Sequence, residues 1–173
     1  GLIAQKMGLP IKHFIASTNI NDTVPQYLAT GSYHPKPSQA TISNAMDVGN
    51  PSNFIRIQEL FDNDIVSLKK IFSSYSFSDE KTKDIMKKIH SEFNYVADPH
   101  GATGYLGLQE YGLQKNEMGI FFETAHPVKF LDTVEDTLSI KLKIPPQIEK
   151  LLKKEKTSIK ISNYKQLKDF LNH

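Results

Sequence analysis

The stretch YVADPHGATGYL, residues 95–106, decides the architecture. Tyr95, Val96 and Ala97 form a short apolar run of strand type. Asp98-Pro99 then ends it and opens a helical pattern, Asp being a good N-cap and Pro suiting the first helical position. Gly101, Ala102 and Gly104 keep the junction small. The design recurs where residues 119–123, a second run of buried-strand type, lead through Thr124 and Ala125 into His126-Pro127. It recurs again at Asn50-Pro51, amid Ser43, Asn44, Gly49, Ser52 and Asn53. Strand, small-residue loop and proline-started helix in alternation predict an α/β fold with an open, mainly parallel sheet flanked by helices.

Outward from these junctions the pattern is consistent. Residues 13–17 read as a short strand, 21–31 as a helix carrying Val24, Tyr27 and Leu28, and 30–40 as a Gly/Pro/Ser loop. Helices are expected over 51–62, 65–75 and 78–93. The last is capped by Ser78, with Asp79 and Glu80 in its first turn, but lacks the Glu of a full capping box. Residues 157–161 alternate like an edge strand. Leu2, Ile3, Ala4 and Met7, then Gly8 and Pro10, resemble the end of an amphipathic helix whose beginning is expected upstream.

Composition narrows the function classes. The chain of 173 residues is 39% hydrophobic and 23% charged, so a globular chain burying roughly 70% of its unfolded surface is expected. It has no cysteine, which excludes disulfide scaffolds, thiolate zinc sites and cysteine nucleophiles. No apolar run reaches the ~20 residues that span a bilayer, and no export signal is visible, so a soluble cytoplasmic protein without membrane partners is expected. Residues 141–173 carry nine Lys against three acids, while the rest carry 12 Lys and Arg against 16 acids. The tail lysines interleave with Ile148, Leu151, Leu167 and Phe170, as on solvated helix faces. Arg56 is the one arginine, too few for bidentate nucleic-acid contacts, and no nucleic-acid partner is expected.

The junctions are where chemistry is expected. Helix N-termini with small flanking residues let backbone amides approach an anion. The second and third follow predicted strands, so both belong at the carboxyl edge of a parallel sheet and a shared cleft follows. Arg56 is a candidate phosphate partner. The plainer reading is three ordinarily capped helices. The histidines show no His-x-x-x-His spacing, and Asp98-x-His100 is a thin basis for a metal, so none is expected. Ser43, His100 and Asp98 supply the residue types of a triad, but no Gly-x-Ser-x-Gly supports one. No Gly-x-Gly-x-x-Gly or Walker-type loop occurs.

The run TISNAMDVGNPSNFIR, residues 41–56, resembles the signature of the bacterial threonine synthases, pyridoxal-phosphate enzymes of the tryptophan-synthase-β-like fold type II family. GLIAQKMGLP (1–10) and IKHFIASTNINDTVPQYL (11–28) are similar to the segment after that family's phosphate-binding glycine loop. DPHGATGYL (98–106) and TAHPVKF (124–130) resemble its later motifs, though residues 101–103 fall in a stretch expected to vary. The likeness runs to about Val134, and the lysine-rich end, 135–173, is only compatible with it.

The resemblance implies that residues 1–173 are the C-terminal part of a pyridoxal-phosphate catalytic domain. The complete enzyme would convert O-phospho-L-homoserine and water to L-threonine and phosphate. The Schiff-base lysine and the glycine loop belong to the N-terminal part, so no catalytic residue is expected here and the piece is expected to be inactive alone. Thr124 is implied as the hydroxyl meeting the cofactor's pyridine nitrogen, which a neutral group would not hold protonated. Substrate contacts are implied for Ser43, Asn44, Asp47, Asn50, Ser52, Asn53, Arg56, His100, His126 and Lys129. Two alternatives stay open: another fold type II pyridoxal-phosphate lyase or replacing enzyme, and a non-catalytic anion-binding α/β module.

Overall fold

The structure, a computed structural model, describes residues 1–155 and 157–172. It divides into two compact units, Gly1–Leu142 and Lys143–His173. The first opens with α1 (Leu2–Lys6), which stops through Met7 and Gly8, and continues into β1 (Phe14–Thr18). Helix α2 (Thr23–Thr30) closes on Gly31, whose φ of +80° suits a residue without Cβ and whose amide donates to the Tyr27 carbonyl. Helices α3 (Phe54–Leu60) and α4 (Ile65–Ile71) precede β2 (Phe72–Ser76). β2 runs parallel to β1 in a register from Phe14 opposite Phe72 to Thr18 opposite Ser76. Helices α5 (Asp79–Phe93) and α6 (Pro99–Tyr111), a 3-10 turn at Pro127–Phe130 and α7 (Leu131–Leu138) complete this unit.

Two apolar clusters hold it. Tyr27, Leu28, Phe54, Leu68 and Phe72 join α2, α3 and α4 to the strands, with Phe14 and Ala16 packed against them. Ile85, Met86, Ile89, Ala97, Ala102 and Val134 join α5, α6 and α7. Helix α6 also lies directly on β1, where a Cβ on Gly107 would fall 1.9 Å from the Ser17 hydroxyl. The sheet is therefore parallel and flanked by helices, as expected. The second unit consists of α8 (Pro146–Leu152) and α9 (Tyr164–Leu171), the latter capped by Asn163, which accepts from the Gln166 amide.

Several local expectations need correction. Residues 65–75 do not form one helix: α4 ends at Ile71 and β2 begins at Phe72, because residues 72–76 pair with β1 in the parallel ladder. Residues 95–97 and 119–123 are not strands. Side chains over 119–123 do alternate in burial, with Ile120 and Phe122 outward, but no backbone ladder pairs the segment among the described residues. Residues 157–161 also lack a ladder, and Ile159 is exposed. Asn50-Pro51 does not open a helix; α3 starts three residues later, after Asn53, and Asn50 instead accepts a hydrogen bond from the Tyr33 hydroxyl. Among the described residues no helix is long and apolar enough to cross a membrane, and no group of three metal-ligating side chains converges.

Candidate active site

The site begins at the carboxyl end of β1, where Asn19 and Asn21 follow the strand as buried amides. Asn19 Nδ2 donates to Asp47 Oδ1 and to the Thr41 hydroxyl, each at 2.8 Å. The Asn21 amide accepts from the Gln39 backbone at 2.8 Å and donates to Asn19 Oδ1. Asp47 also receives the Thr41 hydroxyl at 2.7 Å and the Thr41 amide at 3.0 Å. Residues 39–47 are thereby folded down onto the strand end. Gly49 allows the closest approach in this loop, since a Cβ there would sit 1.9 Å from the Lys36 carbonyl oxygen.

The second element is the start of α6. Asp98 is fully buried and caps the helix by accepting from the His100 amide at 2.8 Å, as the sequence predicts. Its Oδ1 also receives the His100 ring at 2.7 Å, while His100 Nε2 accepts from the Ala45 amide at 3.1 Å. With Nε2 turned to the Ala45 amide, Nδ1 is the ring nitrogen that meets Asp98. The third element is the 3-10 turn, capped by His126 Nδ1, which accepts from the Val128 amide at 3.1 Å. Phe130, in that turn, lies against His100 with ring centroids 4.5 Å apart. His100 thus touches all three motif regions at once.

Beside it opens a cleft of about 440 Å³, with Thr41, Ile42 and Asn44 on one wall, Lys129, Leu131 and Asp132 on the other, and Asp79 at the start of α5. The structure brings Ser43, Asn44, Asp47, His100 and Lys129 into this region. Ser43 and Asp47 are turned into the buried network, whereas Asn44 and Lys129 are exposed. Thr124 and His126 are exposed on the segment entering the turn. Asn50, Ser52, Asn53 and Arg56 are exposed and do not line the cleft.

Sequence reasoning missed Asn19, Asn21, Asp79 and above all Glu123. The Glu123 carboxyl lies over Gly101, where a Cβ would stand 2.1 Å from Oε1, and it faces Asp98. Burial, and then Asp98, push its pKa up to about 8. An acid inside a run of buried-strand type was the available signal.

A family model described as "Threonine synthase, C-terminal" matches residues 101–171. Curated threonine synthases from Haemophilus influenzae and Escherichia coli are 47% and 44% identical, over 87% and 86% of this chain. The chain spans about a third of their length, 35% and 34% respectively. The E. coli threonine synthase crystal structure superposes with a TM-score of 0.80 at 43% identity, covering 87% of this chain and 34% of that one. A threonine synthase from Brucella melitensis, described as bound to PLP, gives a TM-score of 0.83 at 25% identity, covering 100% of this chain and 42% of that one. The parallel sheet flanked by helices is that of the fold type II pyridoxal-phosphate enzymes. Within that class the chain belongs to the threonine synthase family, of which it matches the C-terminal part.

Proposed function

We propose that this chain is the C-terminal part of a cytoplasmic threonine synthase that, when complete, converts O-phospho-L-homoserine and water to L-threonine and inorganic phosphate. Pyridoxal phosphate would serve as cofactor, with the Schiff-base lysine supplied by the N-terminal part. The observation that carries the reading is the meeting of three family motifs at His100, joined by the Ala45, Asp98 and Phe130 contacts.

The residues present fit the cofactor. Thr124 offers an exposed neutral hydroxyl directly after a buried carboxyl, the chemistry needed to meet a pyridine nitrogen without protonating it. When bound, the cofactor supplies the electron sink that lets the substrate lose its γ-phosphate before water adds at Cβ. Asn44 and Lys129, which line the cleft, would receive the phosphate, one as a neutral donor and the other as a cation. Asp79 and Asp132 are directed away from that duty by charge; the Asp79 carboxylate already accepts from the Ile42 amide. His100 and the Asn19 network hold the loop that carries Asn44, and Phe130 shields His100 from water.

The test is reconstitution. This chain alone, mixed with pyridoxal phosphate, should yield no borohydride-trapped lysine adduct, and addition of the N-terminal portion should restore cofactor binding and phosphate release from O-phospho-L-homoserine. A specific lysine adduct within residues 1–173, or a completed enzyme releasing no phosphate from this ester, overturns the reading.

A further inference from the structure

Capping accounts for only half of Asp98. Its Oδ1 receives the His100 amide and ring, but Oδ2 is buried and accepts from no described group, and Glu123 Oε1 is in the same condition. The Glu123 carboxyl lies over Gly101 in the first turn of the helix that Asp98 caps, which brings the two carboxyls together. Ionised together and out of water they would repel, whereas one proton held between them makes a strong charge-assisted hydrogen bond and satisfies both orphaned oxygens. Gly101 makes the room: any β-carbon there would occupy the space of the Glu123 carboxyl. Beyond Asp98 the chain of bonds continues through His100 to the Ala45 amide.

We propose that Glu123 is a positioning residue whose carboxyl shares one proton with Asp98, clamping the segment that carries Thr124 to the start of α6 and, through His100, to the loop at Asn44–Met46. The clamp is a property of this chain; only the identity of what Thr124 meets rests on the function proposed above. The ionisable groups facing the pair are His100 from α6 and Tyr95 from the segment before it, while the 3-10 turn presents the uncharged Phe130 ring. Burial and Asp98 raise Glu123. Burial also disfavours ionised Asp98, but hydrogen bonds from His100 and Glu123 outweigh it and hold that carboxyl below its ordinary value. The proton therefore resides on Glu123, which donates to Asp98.

The direct test is carboxyl-carbon NMR of this chain with labelled glutamate, the Glu123 signal being assigned by its loss in Glu123→Gln. A midpoint near pH 8 is expected, and Gly101→Ala, which drives the carboxyl out of its seat, should return it toward the ordinary 4.5. In the complete enzyme Glu123→Gln still donates an N–H to Asp98, so kcat at neutral pH should stay within about twofold, with a flatter fall at alkaline pH. Glu123→Leu cannot donate and should lower kcat about tenfold, the scale of a small misplacement near the reacting centre. A Glu123 midpoint near 4.5, or equal activity of the Gln and Leu variants, overturns the proposal. If the complete enzyme releases no phosphate from O-phospho-L-homoserine, the functional reading falls while the carboxyl titration still decides the clamp.

Discussion

His100 works through both ring nitrogens, so no uncharged isostere keeps both of its bonds. His100→Phe retains ring packing on Phe130 but deprives Asp98 of one donor and Ala45 of its acceptor. The expected loss is about 1 kcal/mol, the net worth of hydrogen bonds whose remaining groups keep the backbone amide or water as partners, read from denaturant unfolding of this chain. Thr124 is the contrasting case. Its side chain is exposed, so Thr124→Val should leave the stability of the chain within about 0.5 kcal/mol, while the complete enzyme should bind pyridoxal phosphate more weakly in equilibrium dialysis. Asp98 as an N-cap was legible because capping is a local rule: a polar side chain before Pro99 meets the amide two residues on. Its second partner was not, because Glu123 comes from a segment 25 residues later and only the fold brings the two together. Asn19 escaped notice for the same reason, since the partner that gives it a role, Asp47, lies 28 positions away in sequence.

Among the elements, those with their own punctuation were read well. Helix α5 carries a cap at Ser78 and a left-handed stop at Asn94, and α6 has Asp98 at one end and Gly112 at the other. Where punctuation is missing the boundary was lost, as between α4 and β2, where Ile71 and Phe72 differ in conformation but not in chemistry. The apolar run of residues 119–123 was visible, but no sequence rule says which backbone will pair with it. Packing between elements makes its own prediction. Helix α6 approaches β1 so closely at Gly107 that an added methyl would strike the Ser17 hydroxyl and lie 3.1 Å from the Ile15 side chain. Gly107→Ala should therefore destabilise the first unit by about 1–3 kcal/mol, measured by thermal or urea unfolding, with helicity retained.

For the molecule as a whole, stability should depend on pH in a window set by Glu123. Its folded value lies at about 8, against 4.5 in an unfolded chain, so between those limits the folded state binds more protons. The contribution is fully present below about pH 4.5, declines as pH rises, and is gone above about 8. The melting temperature of the wild-type chain relative to Glu123→Gln should fall across that interval; parallel curves for the two would contradict it. The global division into Gly1–Leu142 and Lys143–His173 had a partial sequence correlate, because the lysine-rich composition starts near the same place. That the chain matches only part of its relatives was legible only through resemblance, since the stretch from Phe14 to Leu142 packs two cores of its own.

The parallel pairing of β1 with β2 also sets a timetable for synthesis. Ala16 and Ser74 are partners 58 positions apart, and a parallel partner cannot be reached by a tight turn. At roughly 5–20 residues per second of translation, β1 has left the ribosome for about 3–12 s before its neighbour exists. During that interval its ladder groups have only water, or another chain, to satisfy them. The Asn19–Asp47 network becomes available earlier, once residue 47 has emerged, so the loop of the site can form before the sheet that supports it.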